Sequence, residues 1–211
     1  YFMKLAVCLF GHVGTVQGRD IESGWINPLI SYQNYVDNVF QDAEVDVFIH
    51  TWSTEYDDVL LNSYNPKSFL IEPQIDFSKI GLDRYSLKHL DTYRDHFYNY
   101  GYNTVSEVIK PLIFRSHSRW YSTKKSVDLM RDYSLENNIE YDWVMQLRFD
   151  IRFFKKIRFN YLDKMYFYSS LRDKEIDTTV NDVWFISNQK NAEKFSTLFD
   201  YIYHYSIRPP Y

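Results

Sequence analysis

The chain has 211 residues, 45% hydrophobic and 25% charged, with only 6 Gly, 6 Pro and one Cys. That is enough for one sizeable core, and it excludes disordered, collagenous and linker-dominated chains. The formal net charge of −4 divides unevenly: residues 1–105 carry 7 Lys+Arg against 14 Asp+Glu, and residues 106–211 carry 17 against 14.

Neither half has the dense basic patch of a nucleic-acid binder, but the second can hold a local positive site for a phosphorylated ligand. The longest apolar run, Leu5 to Phe10, is far short of the ~20 residues of a membrane-spanning helix. No signal-peptide pattern appears. The single cysteine, Cys8, excludes an intramolecular disulfide framework and a Cys-based zinc cluster. These features read together as a cytoplasmic protein without a membrane span. Met3 reads as the natural initiator, and Pro209-Pro210 reads as the start of a linker. The expectation is one domain, residues 1–211, cut from a longer protein with further domains.

Lys4 to Phe10 reads as a strand buried on both faces, ending at Gly11. Gly11, Gly14 and Gly18 mark a tight turn or a close backbone approach. A helical stretch begins at Asn27-Pro28 and runs through Val39-Phe40. Val45 to Trp52 reads as a second strand, and Lys67 to Glu72 as a third, closed by Pro73. A short helical or loop region separates them. Residues 76–104 read as a long polar and aromatic excursion or lid, with Tyr85, Tyr93, Phe97, Tyr98, Tyr100 and Tyr102 as candidates to line a groove.

Glu107 to Asn138 has the best helical pattern, with Pro111 at its first turn or an entry kink. Strands are predicted at Tyr141–Leu147, Lys164–Ser170 and Val183–Ser187, and a closing helix from Asn191 to Tyr205. Strands alternating with helices predict an α/β fold with a mixed, mostly parallel central sheet flanked by helices.

Ligands of open α/β sheets sit beyond the carboxyl ends of the strands. The polar groups there are Gly11, His12 and Val13; His50, Thr51 and Trp52; Arg148 and Asp150; and, just before the last strand, Asp177, Asn181 and Asp182. An unpartnered carboxylate at the end of an apolar strand is costly. Asp150 therefore pairs with Arg148, or it holds a hard cation beside a diphosphate. Asp182 is either a turn residue or a carboxylate for catalysis or sugar hydroxyls. Trp184 stacks on a sugar or base, or packs in the core.

Arg115 and Arg119, four apart on the long helix, share a face. With Lys124, Lys125 and Ser122 or Ser126 they either hold a diphosphate or form a solvated basic face. His204 is a packed histidine or reaches a metal. No G-x-G-x-x-G, P-loop, G-x-S-x-G or H-E-x-x-H pattern occurs.

Taken in order, the small-residue turn after the first strand, Asp46-Val-Phe-Ile-His-Thr-Trp52, Tyr141-Asp-Trp-Val-Met-Gln-Leu-Arg-Phe-Asp150 and Asn181-Asp182-Val-Trp-Phe-Ile resemble GT-A-fold glycosyltransferases. The likeness is strongest to those of capsular, lipopolysaccharide and viral glycan synthesis. It implies a GT-A-like, metal-dependent hexosyltransferase using a nucleotide-diphosphate sugar, UDP-sugar favoured. It also implies Mn²⁺ or Mg²⁺ and a glycan or glycoprotein acceptor.

By the same resemblance, Gly11, His12, Val13 and Arg19 cradle the nucleotide, and Asp150 holds the metal. The resemblance places Asp182 as the catalytic or acceptor-binding carboxylate; the basic residues themselves add Arg119 or Lys124 of the long helix as a fixed cation near the diphosphate, with Arg148 among the donor-binding residues. Arg148 replaces the first acid of the family's D-x-D motif, which leaves one carboxylate for the cation. The rival readings are a non-catalytic glycan-binding module and a sugar nucleotidyltransferase.

Overall fold

The computed structural model describes residues 3–13, 27–79, 105–170 and 183–204. Strand β1 (Met3–Gly11) is buried from Leu5 to Phe10, as its unbroken apolar run requires. It is paired on both sides. Strand β2 (Ala43–Thr51) lies parallel to it, in register from Met3↔Ala43 to Gly11↔Thr51. Two further parallel pairs extend the sheet. They are β3 (Ser68–Ile71) outside β2 and β4 (Trp143–Arg148) on the other side of β1, the latter in register from Leu5↔Trp143 to Phe10↔Arg148.

Beyond β4, β6 (Trp184–Ser187) runs antiparallel to it, and β5 (Tyr168–Ser169) antiparallel to β6. The order is β3-β2-β1-β4-β6-β5. The α/β class is as expected, but the mostly parallel sheet is not: three parallel pairings meet two antiparallel ones, and the sheet is mixed. An apolar run covered on both faces reads the same in either direction, so the sequence pattern did not separate the two.

Helix α1 (Tyr32–Asn38) follows turns at 28–31, and α2 (Asp57–Tyr64) fills the gap between β2 and β3. Helix α3 (Val105–Asn137) is 33 residues long. It begins before Glu107, which places Pro111 inside it rather than in its first turn. Helix α4 (Gln189–Ser196) starts at Asn188, whose side chain accepts the Asn191 N–H, and a 3₁₀ stretch continues from Thr197 to His204. The predicted strand at 164–170 shrinks to Tyr168–Ser169. Its first half is a turn held by Tyr166 N–H on the Asp163 carbonyl at 3.1 Å and Met165 N–H on the Asp163 carboxylate at 2.9 Å.

The two faces of the sheet differ. One packs Leu5, Val7, Leu9, Met145 and Leu147 with Tyr35 of α1 and with Leu60 and Tyr64 of α2. The other packs Ala6, Cys8, Phe48 and Val144 with Val127 and Met130 of α3. Small hydroxyl residues on α3 keep that helix close to the sheet, with Ser118, Ser122, Thr123 and Ser126 buried. Thr123 and Ser126 return their hydroxyls to their own helix, on the carbonyls of Arg119 and Thr123. Ser118 and Ser122 bond outside it.

Candidate active site at the carboxyl ends of β1 and β4

The chain leaves β1 for β2 and β3 on one side, and β4 then pairs on the other. The strand order therefore switches between β1 and β4, where open α/β sheets form a ligand crevice. Gly11, His12 and Val13 follow β1. Arg148 ends β4, level with Phe10, and Phe149 and Asp150 follow it.

The turn after β1 is fixed by its backbone. Gly11 has φ +99, a conformation that strains any residue with a side chain. Its N–H donates to Ser122 Oγ at 2.8 Å, and the Val13 N–H to Ser53 Oγ at 2.9 Å. Between them, His12 Nε2 meets Gln74 Oε1 at 3.1 Å, and Ser118 donates to the same oxygen at 2.9 Å.

Under this turn lies a buried relay that the strand-end reading caught only in part. His50 is fully buried, with Nδ1 2.7 Å from Ser122 Oγ and Nε2 3.0 Å from Glu72 Oε1. Burial holds the imidazole below its usual range, against the opposing pull of Glu72. The ring is therefore neutral. The Glu72 carboxylate can only accept, so Nε2 carries the proton and Nδ1 accepts the Ser122 hydroxyl. The resulting order, Gly11 N–H to Ser122, Ser122 to His50, His50 to Glu72, ties the end of β1 to the ends of β2 and β3 through α3.

Trp52 stacks on Tyr121 at 5.2 Å, and both rings meet His50 edge-on, at 4.6 and 5.6 Å. Burial, reinforced by Glu72, pushes the Tyr121 phenol up to about 12.

At the end of β4 the arrangement is open. Arg148 grips Asp150 with both arms of its guanidinium, Nε to Oδ1 at 2.8 Å and the second nitrogen to Oδ2 at 2.5 Å, and both side chains are exposed. Tyr35 fixes the backbone of this turn: its hydroxyl donates to the Arg148 carbonyl at 2.5 Å and accepts the Ile151 N–H at 3.0 Å. The pairing with Arg148 expected for Asp150 is formed.

No family model, curated protein or solved structure matches the chain.

Among the remaining predicted residues, Arg19, Asp177, Asn181, Asp182 and the aromatics at 85–102 lie outside the described residues. Arg119 does not sit on a solvated face. Its guanidinium lies 3.8 Å from the centre of the Phe10 ring and 4.8 Å from that of Trp120. Lys124 is held between Asp128 and Asp200, 3.4 Å from each. Arg115 is exposed on α3, and Ser126 bonds within the helix rather than facing the crevice.

His117 is buried against Phe77, Phe199 and Tyr203, whereas His204 is exposed. Trp184 packs against Phe153, the core reading. Thr51 is buried, with Oγ1 accepting the Ser53 N–H at 3.1 Å. Glu72, Gln74, Ser53 and Tyr35 were missed as site residues. Glu72 ends a strand before Pro73, the same acid-at-strand-end signal that singled out Asp150, and could have been found by it.

Proposed function

We propose that this chain is a GT-A-like glycosyltransferase that moves a sugar from a nucleotide-diphosphate sugar, UDP-sugar favoured, to a hydroxyl of a glycan or glycoprotein. One observation carries the reading: the braced turn Gly11–Val13 and the Arg148–Asp150 turn flank the same switch point of the sheet. A diphosphate there has fixed backbone on one side and a guanidinium on the other.

Gly11, His12 and Val13, with Arg19, cradle the nucleotide. Arg119, stacked on Phe10 beside Arg148 in the sheet, is the helix cation of this edge, while Lys124 is taken up by its two carboxylates. Asp182 takes the acceptor proton as general base or stabilises an oxocarbenium-like centre.

Mn²⁺ or Mg²⁺ belongs to this reading. Among the described residues no cluster of three His, Cys, Asp or Glu could hold a metal alone. A site completed by substrate oxygens and water needs only one or two carboxylates. Asp150, an exposed hard-oxygen donor at the strand end, fits that part once the Arg148 fork opens. The bound cation would offset charge on the departing diphosphate.

The test is thermal unfolding with a panel of nucleotide-sugars, each with and without Mn²⁺. A ligand at 100 times its dissociation constant adds about 2.7 kcal/mol of stability. The expected result is a metal-dependent rise in Tm with one diphosphate-sugar, lost in Asp150→Asn. No rise with any nucleotide, or a rise unchanged in Asp150→Asn, overturns the assignment.

A further inference from the structure

After Asp150 the chain runs back along α1 in an extended strap. Asn34 clamps Phe153 through both backbone groups, at 2.8 and 2.9 Å, and the Asn38 carbonyl accepts the Ile157 N–H at 2.8 Å. Ile151, Phe153, Ile157, Phe159 and Leu162 turn inward and pack on the core. The outward positions combine cations with large apolar groups. Residues 151–167 carry five Lys+Arg against one Asp, in a chain whose net charge is −4.

Phe154 is 88% exposed, Met165 81%, Tyr161 74% and Tyr166 63%. Lone exposed apolar residues are ordinary, but several in one short stretch mark an interaction surface. They are not displaced core residues, because the strap already has its own inward set.

The charges of this surface are only partly neutralised. Lys156 pairs with Asp42 at 2.5 Å and Lys164 with Asp142 at 2.6 Å. Arg152, Lys155 and Arg158 are exposed and make no ion pair among the described residues. Arg152 lies over the Phe154 ring and Arg158 over the Tyr161 ring, so each apolar tip carries a cation with it. Lys156, Arg158, Tyr161 and Lys164 also rim a cleft of about 790 Å³ with Met3 and Trp143 on its wall. Met3 and Trp143 belong to the amino ends of β1 and β4, so the cleft opens at the opposite end of the sheet from the crevice.

We propose that the strap 151–166 is a docking surface for an anionic lipid bilayer, with Phe154, Tyr161, Met165 and Tyr166 entering the interface and Arg152, Lys155 and Arg158 meeting lipid phosphates. Amphipathic surfaces of this composition bind by apolar burial plus attraction to acidic headgroups. Single-stranded nucleic acid also suits aromatic and basic groups, but Met165 offers no ring for a base to stack on. The inference is independent of the sugar-transfer reading.

The test is vesicle co-sedimentation of the full chain. Two lipid compositions serve, phosphatidylcholine alone and a two-to-one mixture with phosphatidylglycerol. The expected result is salt-sensitive binding to the anionic vesicles only. Each cation near the surface contributes roughly a fivefold change in partitioning. Arg152→Gln, Lys155→Gln and Arg158→Gln together then weaken binding roughly a hundredfold. Phe154→Ser with Met165→Ser weakens it at least about tenfold. All these side chains are exposed, so circular dichroism and Tm stay at wild-type values and folding is controlled. No binding to anionic vesicles overturns the proposal. So does binding unchanged in both variants, binding of a single-stranded oligonucleotide instead, or self-association that the Phe154→Ser, Met165→Ser variant abolishes.

Discussion

At the carboxyl ends of β1 and β2 polar side chains are buried and bonded; along the strap toward their amino ends apolar side chains are exposed among cations. His50, Thr51, Ser53 and Ser122 are all buried, and each has a partner on a neighbouring element or turn. Phe154 and Met165, on the strap, touch water over most of their surface. The first arrangement draws its stability from within the chain, because every buried donor or acceptor that loses its partner carries a desolvation cost. The second contributes almost nothing to folding and gains energy only against something outside. The contrast separates two kinds of site, one held rigid by the fold and one left unfinished by it.

The sharpest way to break that contrast is to remove one hydroxyl. Ser122→Ala strands the Gly11 N–H and His50 Nδ1 at once. The expected loss is about 2–6 kcal/mol in urea unfolding, at about 1–3 kcal/mol for each orphaned group. Phe154→Ser is the control from the strap, with an expected change within about 0.5 kcal/mol. Equal effects at the two positions would mean that the relay is not the structural brace described here.

Protonation attacks the same end more gently. Burial lowers the pKa of His50 and, independently, of His117 below the usual 6.5. The unfolded chain then binds more protons than the folded one, so stability rises with pH up to about 6.5 and is lost as pH falls through the folded values. His50→Gln flattens that dependence by its own share and leaves that of His117 in place. Denaturation midpoints across acid to neutral pH check this. A slope unchanged by His50→Gln sinks the neutral-imidazole assignment.

Gln146 carries the comparison into the sheet. It is buried on β4, level with Cys8 on one side and Phe185 on the other. Neither atom of its carboxamide has a hydrogen-bond partner among the described residues. Removing this polar group has the opposite sign from removing that of Ser122. Gln146→Met keeps the volume and sheds the desolvation cost, with an expected gain of about 1 kcal/mol. A loss of stability instead would show that the carboxamide is bonded in solution.

The elements that depend on local pattern were legible in the sequence. The apolar runs of β1, β2 and β4 and the helical spacing of α3 located those elements to within a few residues. Direction was not legible for β6, because Val183-Trp-Phe-Ile-Ser187 carries no mark of parallel or antiparallel pairing. The crevice was half legible: the strand-end rule brought Gly11, His50 and Asp150 to one edge. It passed over Glu72; and Ser122, offered with Ser126 beside the helix cations for a diphosphate or a solvated face, spends its hydroxyl on His50 and accepts the Gly11 N–H. Sequence spacing puts Ser122 on a helix face but cannot say what stands opposite. The surroundings of Arg119 were hidden for the same reason, since its i, i+4 relation to Arg115 does not reveal the Phe10 ring it covers.

A small expected effect on stability tests a place where the contrast does not hold. Arg148 and Asp150 lie at the carboxyl end, yet both are exposed, 42% and 48% by side chain. An exposed ion pair is worth about 0–1 kcal/mol even when its geometry is good, so Arg148→Ala barely moves the unfolding midpoint. Its expected effect is on ligands. Freeing both oxygens of Asp150 increases affinity for Mn²⁺ alone and weakens affinity for a nucleoside diphosphate, because the guanidinium proposed to meet the phosphates is gone. Titration calorimetry of the variant with each ligand reads the two changes separately. If Arg148→Ala instead costs stability comparable to Ser122→Ala, the pair is part of the rigid end after all, and Asp150 is a structural carboxylate rather than one available to a cation.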